Sequence, residues 1–222
     1  MRKFAMIPAR MGSQRLKQKN LRELGGITLI ARAIRKAKAT GIFDEIWVNS
    51  EHPVFGEIAA AEGVRFHQRP EVLGGHAATS EDFIYEFLMA HPCDYIFQLH
   101  SIAPLLTVDE VLAFVEAMLA SDCQVMLSYV PEQIECAMEG KPLNFHFGAK
   151  QNSQELVPIQ RITWSVTGWH APTFIKGHET SGNGTYAGKV GFYAIKRASG
   201  HIIKTQEDLD IAEAMLPRIE GV

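Results

Sequence analysis

The spacing of apolar positions changes period several times along the chain, and each change predicts an element. A short apolar run from Phe4 to Pro8 reads as a buried strand, because proline has no N–H to donate and ends the pairing. After Gly25-Gly26, the residues Ile27, Ile30, Ala33, Ile34 and Ala37 recur at helical spacing, with Arg32, Arg35, Lys36 and Lys38 outside and Gly41 as the stop. Asp44–Ser50 is the next strand, Pro53–Glu62 a helix stopped by Gly63, and Val64–His67 a third strand. The order β-loop-α-β-α-β predicts an α/β domain whose mostly parallel sheet is joined by right-handed crossovers.

Polar residues 68–80 cannot form a helix until Thr79 or Ser80 caps one, whose apolar face is Phe83, Ile84, Phe87 and Leu88. Asp94–Leu99 reads as a fourth strand. Thr107-x-x-Glu110 is a capping box for a helix with Val111, Leu112, Val115, Met118 and Leu119 as its stripe. Val125–Val130 is a fifth strand, and periodicity then fails from Pro131 to about Arg161. Strands are expected again within 162–171 and at Val190–Ile195, with turn residues at 177–188 between them. A last helix is capped near Thr205.

Directly after the first strand the pattern turns cationic, with Arg10, Arg15, Lys17 and Lys19 inside about ten residues. Such charges repel one another unless an anion shares them, and open α/β sheets bind ligands outside strand carboxyl ends, so a polyphosphate is the expected partner. Gly12 is expected to allow positive φ and close backbone approach, and Ser13 supplies a hydroxyl. Neither the Walker spacing nor Gly-x-Gly-x-x-Gly is present, which disfavours a nicotinamide-dependent enzyme.

Composition adds bounds rather than chemistry. The 222 residues suit one domain, and the net charge of −3 gives no general attraction to nucleic acid. Cys93, Cys123 and Cys136 form no C-x-x-C pair, so a reducing compartment is the expectation. The apolar run before Arg10 is too short for a signal segment, and no run approaches membrane length, so a soluble, cytoplasmic protein without a membrane partner is expected.

Ile7-Pro8-Ala9-Arg10-Met11-Gly12-Ser13, followed by Lys19-Asn20-Leu21, resembles the opening signature of the acylneuraminate cytidylyltransferase family. Arg69, Pro70 and Leu73 match a second family segment, Leu99, Pro104, Leu105 and Thr107 a third, and Thr205-x-x-Asp208-Leu209-x-x-Ala212-Glu213 the closing one. The resemblance implies a nucleotidyltransferase-type, Rossmann-like three-layer sandwich with a protruding dimerisation and sugar-lid excursion at about 131–188. It also implies a homodimer that couples CTP to a 2-keto-3-deoxy sugar acid of sialic, legionaminic or pseudaminic type and releases pyrophosphate. Residue by residue, it assigns nucleotide binding to Ala9, Arg10, Gly12, Ser13, Arg15, Lys19, Asn20, Arg69, Thr79 and Ser80. Sugar contacts fall to His100, Lys141, Gln154, Arg161 and Tyr193, with Lys141, Gln154 and Arg161 reaching across the dimer.

The departures carry information too. His76 stands where the family has aspartate and is given no role, and His100 replaces a glutamine, whose work it would do as a ring N–H donor. Thr167-Gly168 stands in place of Asn-Gly. Ile202-Ile203-Lys204 replaces the Asp-Ile-Asp whose carboxylates hold magnesium. Lys204 is therefore expected to stand in for protein-held metal, joining Arg10 and Lys19 as catalytic cations, with magnesium arriving as Mg–CTP. The alternative is a relative that binds nucleotide or a partner without catalysis.

Overall fold

The computed structural model describes residues 1–75 and 77–220, so His76 lies outside the described residues. In chain order the elements begin β1 (Lys3–Pro8), β2 (Glu23–Leu24), β3 (Ile27–Thr28), α1 (Leu29–Thr40), β4 (Glu45–Ser50), α2 (Val54–Ala61) and β5 (Arg65–Gln68). They continue α3 (Ser80–Ala90), β6 (Tyr95–Leu99), α4 (Val108–Ala120), β7 (Val125–Glu132), β8 (Ala137–Met138) and β9 (Lys141–Pro142). The last are β10 (Ile159–His170), α5 (Ala171–Ser181), β11 (Val190–Ala194) and α6 (Gln206–Glu220).

Seven strands form one sheet in the order β11-β7-β10-β6-β1-β4-β5. Its neighbours pair in parallel except at β10, which runs antiparallel to both β6 and β7. Alternation along the strands sends Ala5, Ile7, Val48, Phe97 and Leu99 to one face, against α1, α2 and α4. Phe4, Met6, Trp47, Ile96 and Trp169 go to the other, against α3 and α5. The result is the expected three-layer α/β sandwich. Helix α6 joins neither layer; its Leu209, Ala212 and Leu216 close over Leu16, Leu24, Leu105 and Ile203 near the strand ends.

Two local expectations change. Gly25 and Gly26, at φ 57° and 72°, form the turn of a β2–β3 hairpin, so Ile27 belongs to a strand and α1 starts at Leu29. Helix α5 runs through Gly177, where only turns were expected. A Cβ at Gly177 would lie 2.5 Å from Ala187 Cβ and 2.8 Å from Asn183 O, so this glycine serves close packing rather than chain reversal.

The protruding segment is also shorter than 131–188, because β10 is a central strand and α5 packs on α3. What protrudes is residues 133–158, containing the β8–β9 hairpin. Asn144 holds its base, accepting from Cys136 N–H at 2.9 Å and donating to the carbonyls of Ile134 and Val157 at 2.8 and 2.9 Å. Ile134, Met138, Leu143, Phe147 and Val157 are all more than half exposed along it.

Candidate active site

The carboxyl ends of β1, β5 and β6 meet in a small cavity of about 240 Å³, lined among others by Ala9, Arg10, Ser13, Lys19, Asn20 and Arg69. Its frame is a set of buried polar ties. Arg69, 4 % exposed, donates to Ala9 O at 2.9 Å, Glu51 Oε2 at 2.9 Å and Asn49 Oδ1 at 3.2 Å, and lies over the Phe83 ring. Glu51 in turn accepts the Met11 N–H at 2.8 Å. Asn20 donates to Arg10 O at 3.0 Å and accepts the Ser101 hydroxyl at 2.6 Å, fixing the loop to the end of β6. Arg69 and Asn20 thus work through the loop backbone.

The left-handed residue in the loop is Gln18, at φ 51°, and not Gly12, whose φ is not positive and whose absent Cβ would meet nothing within 4 Å. Gly12 is exposed.

Lys19 gathers the charge. Its Nζ donates to Ile203 O at 3.2 Å, and its pKa is lowered to about 8, first by burial and then by Arg15, Arg10 and Lys204, with Asp208 opposing. These cations converge without enough negative charge to balance them. Lys204 reaches this group because Ile203 N–H is held by Ile102 O at 2.8 Å, while Asp208 Oδ2 accepts both the Lys204 and Thr205 N–H at 2.8 Å and starts α6.

A wider cavity of about 1090 Å³ adjoins the first, sharing His100 and Ile102 with it. Arg161, Arg197 and Lys204 bring positive charge to its wall. Glu132 offsets part of it through contacts to Arg161 at 2.9 Å and Arg197 at 4.0 Å. Trp164 also lines it from a bulge where β10 gains residues relative to β7; the register passes from Ile162 opposite Tyr129 to Thr167 opposite Leu127. The Trp164 backbone is left-handed there, at φ 57°, the kind of departure bulges use to re-aim a side chain.

His100 has its pKa lowered to about 4, by burial first and the Lys19 charge second, so the ring is neutral at pH 7. Its Nε2 lies 2.9 Å from Gln98 Oε1; with a carbonyl oxygen as partner the ring proton is assigned to Nε2, which leaves Nδ1 an acceptor. In this tautomer the ring N–H of His100 is engaged by Gln98. Gln98 is fully buried, and its Nε2 has no hydrogen-bond partner. Thr167, directly opposite it on β10, has an equally unpartnered Oγ1. Each such group costs about 1–3 kcal/mol. Gln98 was not singled out from the sequence, although a residue two before His100 must share its strand face.

Other expected residues disperse. Ser80 lines the wider cavity, whereas Thr79 spends its hydroxyl on Asp82 at 2.9 Å and borders a separate dent beside α5. Arg15 is exposed at the rim, bearing on Lys19 by charge. Tyr193 packs edge-on to Phe114, centroids 5.6 Å apart, in the α4 layer, and so is not in the cleft as expected. Lys141 and Gln154 sit exposed on the protruding segment and line neither cavity.

The carboxylates nearest the cations already accept hydrogen bonds within the chain. Asp208 is committed to the start of α6 and Glu51 to Arg69 and Met11. Among the described residues no three His, Cys, Asp or Glu side chains are grouped to hold a metal.

A strand-end cationic loop beside a second, acceptor-sized cavity is the layout of a nucleotidyltransferase. Residues 4–163 match the cytidylyltransferase family, and the chain belongs to it. The chain is 33% identical to N-acylneuraminate cytidylyltransferase A of Danio rerio over 103 residues, 46% of this chain and 24% of that protein. It is 38% identical to the N-acylneuraminate cytidylyltransferase of Escherichia coli O18:K1:H7 over 81 residues, 36% of this chain and 19% of that protein. The matched region thus spans about a quarter or less of these relatives' length. In fold the chain is similar to CMP:2-keto-3-deoxy-manno-octonic acid synthetase, whose structure is complexed with CTP, at TM-score 0.74 and 15% identity over 98% of this chain and 99% of that one.

Proposed function

We propose that this protein transfers CMP from CTP to the anomeric hydroxyl of an acidic 2-keto-3-deoxy sugar, of sialic, legionaminic or pseudaminic type, and releases pyrophosphate. The observation that carries the reading is the cation group around Lys19, whose pKa is lowered to about 8 by burial first and then by Arg15, Arg10 and Lys204. A triphosphate is what that group lacks. The relatives' printed activities supply the nucleotide and the class of acceptor.

In this reading the triphosphate lies in the small cavity, where Arg10 and Lys19 neutralise its oxygens and Ser13 adds a hydroxyl, with Lys204 reaching in from the wall of the wider cavity. The sugar oxygen bonds to the α-phosphorus as the bond from that phosphorus to the bridging oxygen breaks. Pyrophosphate leaves and the hydroxyl proton goes to solvent. Magnesium would come as the counter-ion of CTP, since Ile202 and Lys204 stand where the family carries its pair of carboxylates. The acceptor occupies the wider cavity, with its carboxylate toward Arg161 and Arg197. A second, cytoplasmic copy of the chain completes the site, its exposed 133–158 segment bringing the partner copy's equivalents of Lys141 and Gln154 over the cleft.

A second reading, a nucleotide-binding relative without turnover, draws on the missing carboxylate pair. Pyrophosphate release from CTP decides, assayed with a panel of nonulosonic acids and 3-deoxy-manno-octulosonate, each with magnesium and with chelator. Release with one acid establishes the transferase. Binding of CTP without release from any acid favours the second reading, and a clean monomer on size exclusion removes the shared site.

A further inference from the structure

We propose that Gln98 reads the acceptor, its carboxamide N–H donating to an oxygen of the acidic sugar in the wider cavity. The inference rests on the transferase reading and assigns it a specificity residue.

Three observations converge on this side chain. Gln98 lines the wider cavity and not the one at the phosphate loop, so what it meets is the acceptor and not the triphosphate. Its carboxamide orientation is set by the ring it serves: Oε1 takes the Nε2–H of His100 at 2.9 Å, which turns the NH₂ end away from the histidine. That NH₂ end is buried and has no partner in the protein. A buried donor without a partner, on a residue that lines a cavity, rewards a ligand oxygen that a small shift of the side chain can meet and penalises a ligand lacking one.

The neighbouring chemistry selects the kind of oxygen. Arg161 and Arg197 stand on the same wall, and Lys19 lies close enough to His100 to depress its pKa, so the surroundings favour an anion or a polarised hydroxyl as acceptor. Thr167 Oγ1, unpartnered and opposite on β10, offers a hydroxyl that donates or accepts beside it. A 2-keto-3-deoxy sugar acid carries both a carboxylate and ring hydroxyls to match such a pair. Gln98 lies in β6 and His100 directly follows the strand, with its backbone N–H held by Ser165 O at 3.3 Å.

Two substitutions separate recognition from scaffolding. Gln98→Glu keeps an oxygen for the His100 N–H but replaces the donor by a negative acceptor, and Gln98→Met removes both while conserving shape. Steady-state pyrophosphate release with CTP and the best of four acids (N-acetylneuraminate, legionaminate, pseudaminate and 3-deoxy-manno-octulosonate) gives KM for each substrate. We expect the acid's KM to rise at least tenfold in both variants and further in Gln98→Glu, with the KM for CTP within twofold of wild type. If Gln98 only holds His100, Gln98→Glu behaves as wild type and Gln98→Met raises both KM values together, which overturns the proposal. Unchanged kinetics in whichever variant folds overturns it too. Wild-type protein that binds CTP but neither turns over nor binds any of the four acids, by saturation-transfer NMR with CTP present, defeats the acidic-acceptor reading and this role with it. Wild-type turnover with an unaffected variant defeats the role alone.

Discussion

The small cavity and the wide one are built by opposite means. Around the phosphate loop almost every polar group is tied to another, Arg69 to Ala9, Asn49 and Glu51, and Asn20 to Arg10 and Ser101. On the acceptor side, Gln98 and Thr167 keep polar atoms without partners, and Trp164 is presented from a bulge. The first wall is largely tied together within the chain, although Arg69 Nε too is buried without a partner, and its positive charge is left unbalanced. The second leaves directional groups open. A shared substrate scaffold with one interchangeable end calls for this division: fixed geometry where every reaction is the same, open valences where acceptors differ.

Substitutions should fall on the two walls unequally. The largest loss of activity is expected from Lys19→Met, because it removes the cation on which Arg10, Arg15 and Lys204 converge; pyrophosphate release should fall about 10²–10³-fold with the fold intact by circular dichroism. A change under threefold would mean the cation group is not the phosphate site. Arg69→Met should act on stability first, lowering the unfolding free energy in urea by about 3–5 kcal/mol, since Glu51 and the Ala9 carbonyl lose a buried partner together. Were Arg69 instead a pure ligand contact, stability would hold and only the KM for CTP would rise.

Lys204→Ala is expected to cost about tenfold in kcat, the worth of one charge-assisted contact of about 1.4 kcal/mol, and to make turnover more dependent on added magnesium. Full turnover in the variant would show that Lys204 does not substitute for a carboxylate-held metal. The smallest effect is in pH. Free protein loses the Lys19 proton as pH rises through about 8, while a complex with triphosphate retains it, so CTP affinity should fall above pH 8 by up to about tenfold per unit. Calorimetry in buffers of different ionisation enthalpy should then show proton uptake on binding at pH 9 and almost none at pH 6.5; equal uptake at both would separate Lys19 from the nucleotide.

His100 gives the companion check on folding. Its lowered pKa, about 4, means the unfolded chain binds a proton between roughly pH 6.5 and 4 that the folded chain refuses, so this residue's contribution to stability declines as pH falls through that window. Replacing it with glutamine should flatten the decline in urea titrations. No flattening would mean the ring is not held neutral.

How far the sequence revealed these walls follows from the range of the interactions that make them. Elements from β1 to α4 obey local periodicity and caps, and Thr107 with Glu110 forms the expected box. Helix α5 was hidden because Gly177 reads as a turn, when its reason is contact with Ala187 and Asn183. Tyr193 was misassigned to the cleft because a strand pattern tells that a side chain lies on a face but not which helix covers it. The open amide of Gln98 needed the register against β10, a pairing across some seventy residues that no local pattern encodes. The phosphate loop was legible because its charges are consecutive. Lys204 was legible only through the resemblance, its approach to Lys19 depending on the Ile203–Ile102 hydrogen bond.

His100 and Ile102 are the two described residues that both cavities have in common. Arg161, Trp164 and Arg197 on the acceptor wall can therefore mutate without touching a side chain that frames the phosphate loop. For a lineage that must keep spending the same nucleotide while the sugars it decorates change, such a narrow seam is a source of evolvability: new acceptors can be explored by drift on one wall while the energy-yielding half of the reaction is inherited whole.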